Sequence, residues 1–228
     1  MTEFSTWRSL VDGAEISALP DTGVAYYDVT IEQPAENEDT IWQDQFDDGL
    51  DLEGPTASFD PDAINGNGGI PITNGDHELI NNSSEYNIEQ PYTLYFVVDL
   101  NDADSRQALF NNLSDNVPSL EARFSDDEWL MHAGNALGLT PVEVGPQVVT
   151  AVFDGPDSRF RINGNSLSDD IDPSTDGFAG VLIGNDDANE RPLAGDIGLF
   201  HPVNDAESLS TIESRESTLS DKFDISLS

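Results

Sequence analysis

The chain has 228 residues, of which 45 are acidic and eight are basic, and its formal charge is −37 at pH 7. Binding to the phosphates of nucleic acid requires clusters of lysine and arginine, so this composition excludes nucleic acid as a partner. There is no cysteine, which excludes disulfides and thiolate metal sites. Repulsion among so many carboxylates is screened only at high salt, so the composition predicts a protein adapted to a salt-rich setting.

Residues 1–50 are predicted to form an N-terminal extension that docks on the main domain or on a neighbouring subunit. Phe4, Trp7, Leu10 and Val11 recur at helical spacing, and Phe4 and Trp7 are candidate contact residues. As an alternative, the two aromatic side chains simply close one end of the main domain. The segment lacks a basic start followed by an apolar run, and no window is apolar enough to span a bilayer. The sequence therefore predicts no signal peptide and no membrane insertion.

Residues 51–228 are predicted to form one all-β domain, because short apolar runs alternate with turn-forming clusters of Gly, Asn, Asp and Pro. The clearest strand is 92–100, which is apolar at nearly every position and is therefore expected to be central, with both faces buried. Asn163-Gly164 predicts a tight hairpin turn. Further strands are expected at 108–110, 120–124, 128–132, 147–153, 158–163, 179–184 and 196–200.

The end of the chain has a helical pattern instead. Asn204 is a candidate N-cap with Glu207 three residues later, and apolar residues from Leu209 to Phe223 share one helical face. We therefore expect a C-terminal helix over 204–223 that packs on the β domain.

The order of these segments is similar to that in the concanavalin A-like lectin/glucanase superfamily, in its laminin-G-like branch. The similarity covers about residues 50–225 and depends on segments 63–66, 149–155, 160–164, 181–184 and 195–200. The resemblance implies an antiparallel two-sheet jelly-roll sandwich with one concave sheet. It also implies binding of glycans or proteins, sometimes with Ca²⁺ at the rim. Gly198 stands near a position that is commonly acidic in the family, so a role for that carboxylate does not carry over.

A search for catalytic groups gives no candidate. The Glu-x-Asp-x-x-Glu strand motif of the superfamily's glucanases is missing, and no Gly-x-Ser-x-Gly elbow accompanies the three histidines, which are His77, His132 and His201. The sequence therefore predicts a protein that is not an enzyme and requires no cofactor.

Calcium is the most plausible ion, because clusters of Asp and Asn supply the oxygen ligands that it prefers. One candidate loop contains Asp60, Asp62, Asn65 and Asn67. The preferred loop, which links two family-like strands at the rim, contains Asn185, Asp186, Asp187 and Asn189. The alternative is an acidic surface that holds hydrated cations diffusely.

Three aromatic residues are candidates for stacking on a sugar ring: Trp42, Tyr86 and Trp129. Trp129 alternates with Met131 in a predicted strand, which favours a place in the core. Trp42 lies in a less regular segment and is predicted to be a ligand or partner contact.

Two functions fit these expectations. The first is a homo-oligomeric surface component of a haloarchaeal virus particle, such as a tail, fibre, turret or capsid-associated protein, that contacts other virion proteins or host glycans. The second is a carbohydrate-binding laminin-G-like module on the surface of a haloarchaeal cell or outside it.

Overall fold

A computed structural model describes residues 27–28, 39–42, 50–55, 59–72, 79–82, 87–102, 105–113, 117–139, 141–186, 188 and 190–228. These residues form antiparallel strands in two large sheets, and one helix follows near the C-terminus. The predicted two-sheet jelly-roll sandwich with a C-terminal helix is thus confirmed. No helix among these residues has the length and apolar character that a bilayer crossing demands.

The strands are β1 (Tyr27–Asp28), β2 (Asp39–Trp42), β3 (Leu52–Pro55), β4 (Ile70–Ile72), β5 (Leu79–Asn81), β6 (Asn87–Ile88), β7 (Tyr92–Leu100), β8 (Arg106–Asn112), β9 (Ser119–Arg123), β10 (Glu128–His132), β11 (Ala136–Leu139), β12 (Gly145–Phe153), β13 (Ser158–Ile162), β14 (Asn165–Ile171), β15 (Phe178–Ala179), β16 (Val181–Ile183) and β17 (Gly195–Val203). The first sheet has the order β1-β17-β7-β12-β13-β14, with β4 also paired to β17. The second has the order β11-β10-β9-β8-β16-β5-β3-β2, and β15 pairs with β6 separately.

The central strand of the first sheet is β7, as its apolar sequence predicts. It pairs with β12 over nine residues and with β17 on its other side. Eight of its nine side chains are buried, and only Asp99 is partly exposed. Both faces of β7 are therefore covered: one faces the second sheet, and the other lies toward the helix.

The second sheet contributes alternate residues to the core. Phe110, Leu120, Trp129 and Met131 are fully buried in the same hydrophobic cluster as Phe96 of β7. The prediction that Trp129 is a core residue is confirmed. Because side chains alternate along a strand, the residues between these positions lie on the outer face of the sheet.

The helix α1 (Leu209–Phe223) begins five residues later than predicted. The N-cap is Ser208, whose side chain accepts a hydrogen bond from the backbone of Thr211, and not Asn204. Residues 204–208 are not helical. Strand β17 continues to Val203, and the side chain of Glu207 accepts a hydrogen bond from the hydroxyl of Tyr95 in β7. The predicted apolar stripe also needs correction, since Leu209 is 44% exposed.

Gly198 has a packing role at the junction of β17 and the C-terminal helix. A Cβ atom at this position would lie 2.6 Å from the ring of Phe223 and 2.9 Å from Ile64. Next to it, Asn65 donates side-chain hydrogen bonds to the backbone oxygens of Phe223 and Asp224 at the end of α1. The absence of a side chain at Gly198 thus allows the end of the helix to seat on the sheet.

Two described parts of the predicted N-terminal extension belong to the sheets. Strand β1 pairs with β17, and β2 pairs with β3. Phe4 and Trp7 lie outside the described residues, so their contact role and the boundary at residue 50 stay predictions.

Candidate functional site

The outer face of the second sheet carries a buried carboxylate. In β9, Leu120 and Ala122 point into the core, so Glu121 between them lies on the opposite face. Glu121 is nevertheless only 1% exposed, and its neighbour across the ladder is Leu130. An ionised carboxylate at such a position requires close positive partners.

Two arginines supply these partners. Nε of Arg106 binds Oε2 of Glu121, and Nη1 of Arg191 lies 3.0 Å from Oε1. Arg191 also places its Nε 3.3 Å from Oδ2 of the buried Asp186. The hydroxyl of Ser119 donates to Glu121 at 3.3 Å. A third arginine, Arg123, binds Glu128 at 2.8 Å beside this group. We call the surface formed by Arg106, Arg123 and Arg191 around Glu121 the arginine face.

The guanidinium groups of the arginine face are partly exposed to solvent. The side chains of Arg106, Arg123 and Arg191 are 34%, 25% and 26% exposed. Arg106 and Arg123 are direct neighbours across the β8–β9 ladder. Two like charges at opposing positions destabilise a sheet, so this pair carries an electrostatic cost that Glu121 and Glu128 offset.

An amide at the same face has an unused acceptor. Asn111 is fully buried, and its Nδ2 donates to the backbone oxygen of Asn185 at 2.7 Å. Its Oδ1 accepts no hydrogen bond from the described residues. Asn111 pairs with Ser119 and Leu182 in the ladders, which places it on the outer face together with Glu121. Buried amide oxygens are ordinarily satisfied, so Asn111 is an exception among the polar side chains of this face.

The predicted calcium loop lies beside this face. Asp186 uses both carboxylate oxygens within the chain, since Oδ1 accepts from the backbone of Glu190 and Oδ2 faces Arg191. Oδ1 of Asn185 accepts from the backbone of Asp186. Asp187 and Asn189 lie outside the described residues, so calcium binding at this loop stays a prediction. In the part of the chain that the structure describes, no three acidic or histidine side chains converge in a metal-binding arrangement.

The other predicted site residues within the described part of the chain have structural roles, and Tyr86 lies outside it. In the loop of Asp60, Asp62 and Asn65, Asp60 accepts from the backbone of Asp62, while Asn65 caps α1. Trp42 has no exposed surface and belongs to the core cluster. The predicted contact role of Trp42 is corrected accordingly, because a stacking platform must present one side of its ring to the ligand.

The arginines that form the site were missed at the level of sequence. Two of the seven arginines, Arg106 and Arg123, fall on adjacent strands of the second sheet, and Arg191 lies in the loop between β16 and β17. Their convergence depends on the pairing of β8 with β9 and on the loop before β17, which the sequence pattern does not reveal.

Comparison with known proteins gives matches in structure only. No protein-family model and no curated protein sequence matches the chain. Trypanosoma rangeli sialidase in complex with sialic acid is 13% identical, with a TM-score of 0.65, over 98% of this chain and 37% of that one. The binding domain of botulinum neurotoxin DC in complex with SialylT is 10% identical, with a TM-score of 0.60, over 87% of this chain and 51% of that one.

The likeness is one of fold. The chain spans about a third of the length of the sialidases and about half of the toxin binding domain. These are lectin-like β-sandwich structures, in agreement with the jelly-roll architecture described above.

The comparisons contradict the prediction that the chain is not an enzyme. Sialidases match it over nearly its whole length, so its fold is one that occurs in an enzyme family, at 11–13% identity. The motif search tested for a glucanase motif and a serine elbow, and neither of these bears on sialidases.

Proposed function

We propose that this chain is a glycan-recognition module and that the arginine face is its binding surface. The observation that carries the proposal is the set of three arginine side chains, Arg106, Arg123 and Arg191, which are 34%, 25% and 26% exposed on one face of the second sheet. Sugars present many hydroxyl oxygens that accept hydrogen bonds. The partly exposed guanidinium groups supply donors for these oxygens.

The fold supports the same proposal. The sialidase and toxin structures that resemble this chain include complexes with sialic acid and with SialylT. The order of sequence segments favours the laminin-G-like branch of the lectin-like sandwiches. The proposal therefore joins a fold found in glycan-bound proteins to a surface that carries partly exposed guanidinium donors.

Binding to a glycan array at high salt tests the proposal. We expect the protein to retain a subset of oligosaccharides. We expect Arg106→Gln to weaken binding of each retained glycan about fivefold, since one hydrogen bond contributes about 1 kcal/mol. In this variant Glu121 keeps Arg191 as a partner. Titration calorimetry of the wild type and the variant with one retained glycan measures the change.

A matched control is Arg159→Gln. Arg159 is a partly exposed residue of β13, in the other sheet. Its replacement should leave binding unchanged. Equal loss of affinity in both variants, or no retained glycan on the array, would contradict glycan recognition at this face.

For the setting of this module, we propose the surface of a haloarchaeal virus particle, where it contacts other copies or virion proteins. The charge of −37 supports a salt-rich medium, and a lectin-like sandwich suits attachment to a host surface. Mass spectrometry of purified particles should recover the protein in stoichiometric amounts. Recovery from the host cell surface without particles would instead favour the cellular carbohydrate-binding module.

A further inference from the structure

We propose that residues 1–26 dock on the outer face of the second sheet of their own chain. The surface that receives them is formed by Ala108, Leu130 and Leu182, which we call the apolar patch. Docking of this segment is independent of glycan recognition, which concerns the arginines around the patch. The two properties can therefore be tested separately.

The apolar patch is buried although it does not belong to the core. Ala108, Leu130 and Leu182 are 0%, 3% and 2% exposed, yet none of them is part of the hydrophobic cluster between the two sheets. Ala108 and Leu130 are the neighbours of Glu121 in β8 and β10, and Leu182 is the neighbour of Asn111 in β16. All three lie on the outer face, where neighbouring side chains stand side by side and leave their ends open. Burial at this face therefore requires a cover on top of the sheet, and small clusters apart from the main core are usual beneath long connecting segments.

The described helix and strands do not supply this cover. Helix α1 packs on the first sheet, and the first sheet lies against the inner face of the second. The backbone of Arg191 runs beside Ala108, and its side chain reaches Glu121, but Leu130 lies on the next strand beyond Glu121. The patch is buried within a single chain, so its cover comes from the same chain.

Length decides which of the remaining segments reaches the patch. The patch runs from β10 to β16, which is roughly 14 Å at about 4.8 Å between strands. Inside the chain, the stretches that the structure does not describe have at most ten residues and join described residues at both ends. The longest, 29–38, must join β1 of the first sheet to β2, which lies six strands from β10, a distance of roughly 29 Å. Residues 1–26 join the described residues only at Tyr27 and extend up to roughly 86 Å at about 3.3 Å per residue.

Residues 1–26 also carry the apolar side chains that a cover needs. Phe4, Trp7, Leu10 and Val11 recur at helical spacing, so a helix would present them on one face. A helix with its side chains is about 10–12 Å wide, close to the width of the apolar patch. Contact between the two apolar surfaces removes both from water, which is the driving force for docking.

The graded exposure of the outer face agrees with this placement. Glu121, in the middle of the face, is buried, whereas Arg106, Arg123 and Arg191 around it are partly exposed. A cover over the centre leaves the guanidinium groups at its border in contact with solvent. Those groups then remain accessible for the proposed glycan recognition.

A spin label on the outer face tests the docking in the full chain, which has no cysteine of its own. Ala136→Cys supplies one attachment point at an exposed residue of β11, whose neighbour in β10 is His132. The Trp7→Phe spectrum identifies the indole N–H signal of Trp7 by nuclear magnetic resonance. We expect the label at position 136 to broaden the Trp7 signal beyond detection. The same label at Ser214→Cys, on the exposed side of α1 behind the first sheet, should leave the signal sharp.

A further variant and a mixing experiment identify the surface and the chain involved. Phe4→Ser together with Leu10→Ser removes apolar contacts of the segment and should restore the Trp7 signal in the chain labelled at position 136, with unchanged circular dichroism of the sheets. A Trp7 signal that stays sharp with the label at position 136 would overturn docking on this face. Broadening of Trp7 in isotope-labelled chains that carry no spin label, after mixing with spin-labelled chains, would place the segment on a second copy and overturn docking within one chain.

Discussion

Replacement of Glu216 by alanine is expected to lower the free energy of unfolding by about 3–5 kcal/mol, the usual cost of leaving one member of a buried ion pair alone. Glu216 lies on α1 with 1% of its side chain exposed, and its partner Arg161 on β13 is 7% exposed. The guanidinium holds both carboxylate oxygens through Nε and Nη2, each at 3.0 Å. The hydroxyl of Thr150 donates to the same carboxylate at 2.9 Å.

The physical reason for the size of the effect is the charge that stays behind. Burial lowers the pKa of Arg161, but the hydrogen bond and the charge of Glu216 more than offset this, so the net pKa is raised. In Glu216→Ala the guanidinium therefore stays charged beneath the helix without its counterion. For a chain of this length the melting temperature should fall by about 6–20 °C, at about 2–4 °C per kcal/mol.

Two controls at the same salt concentration make the measurement specific. Glu128→Ala breaks the partly exposed pair with Arg123 and should cost about 1 kcal/mol or less. The double variant Arg161→Met, Glu216→Leu removes both charges and should recover most of the lost stability, because apolar replacements of a buried pair are often neutral. Thermal unfolding by circular dichroism checks all three. If Glu216→Ala is no more harmful than Glu128→Ala, this account of the helix–sheet interface is wrong.

This buried pair also marks the limit of sequence-based prediction in this chain. The pattern at 158–163 correctly places Phe160 and Arg161 on opposite faces of the strand, although Arg161 is buried against the helix. The Asn163-Gly164 turn is present with positive φ at both residues. The sequence places Glu216 away from the apolar stripe of the helix, yet it is buried. Helical periodicity predicts burial for apolar residues only. It therefore predicts a surface position for Glu216, whose partner Arg161 lies 55 residues away in the chain.

The edges of the sheets show a second limit. Strand β14 was missed because its sequence is polar, and its burial pattern shows no fully buried residue. It is an edge strand of the first sheet, where acidic side chains keep other chains from pairing. The central strands were predictable because burial on both faces demands apolar residues throughout. The arginine face required long-range pairing that no local pattern contains.

Transfer from about 1 M salt to dilute buffer is expected to unfold the protein, because the screening length grows from about 3 Å at 1 M to about 30 Å at 0.01 M. Carboxylates that do not sense each other at high salt then repel across the whole domain, which carries a charge of −37. We expect the β-sheet circular dichroism signal to disappear in dilute buffer and to return on addition of KCl. Sucrose at matched water activity is the control that separates charge screening from a general effect of solutes on folding. It favours compact states but does not screen charge.

Acidification in dilute buffer should stabilise the folded protein, as added salt does. The pKa of Asp99 is raised mainly by burial and further by the negative charge of Asp196. The pKa of Asp196 is also raised mainly by burial. A hydrogen bond from Asn101 lowers it in part, and the charge of Asp60 raises it further. A carboxyl whose folded pKa exceeds its unfolded value binds its proton more tightly in the native state, so stability increases as the pH falls through the folded pKa. Asp99→Asn should reproduce part of this gain at neutral pH. A dichroism signal that is the same in dilute and concentrated salt would show that carboxylate repulsion does not limit this fold.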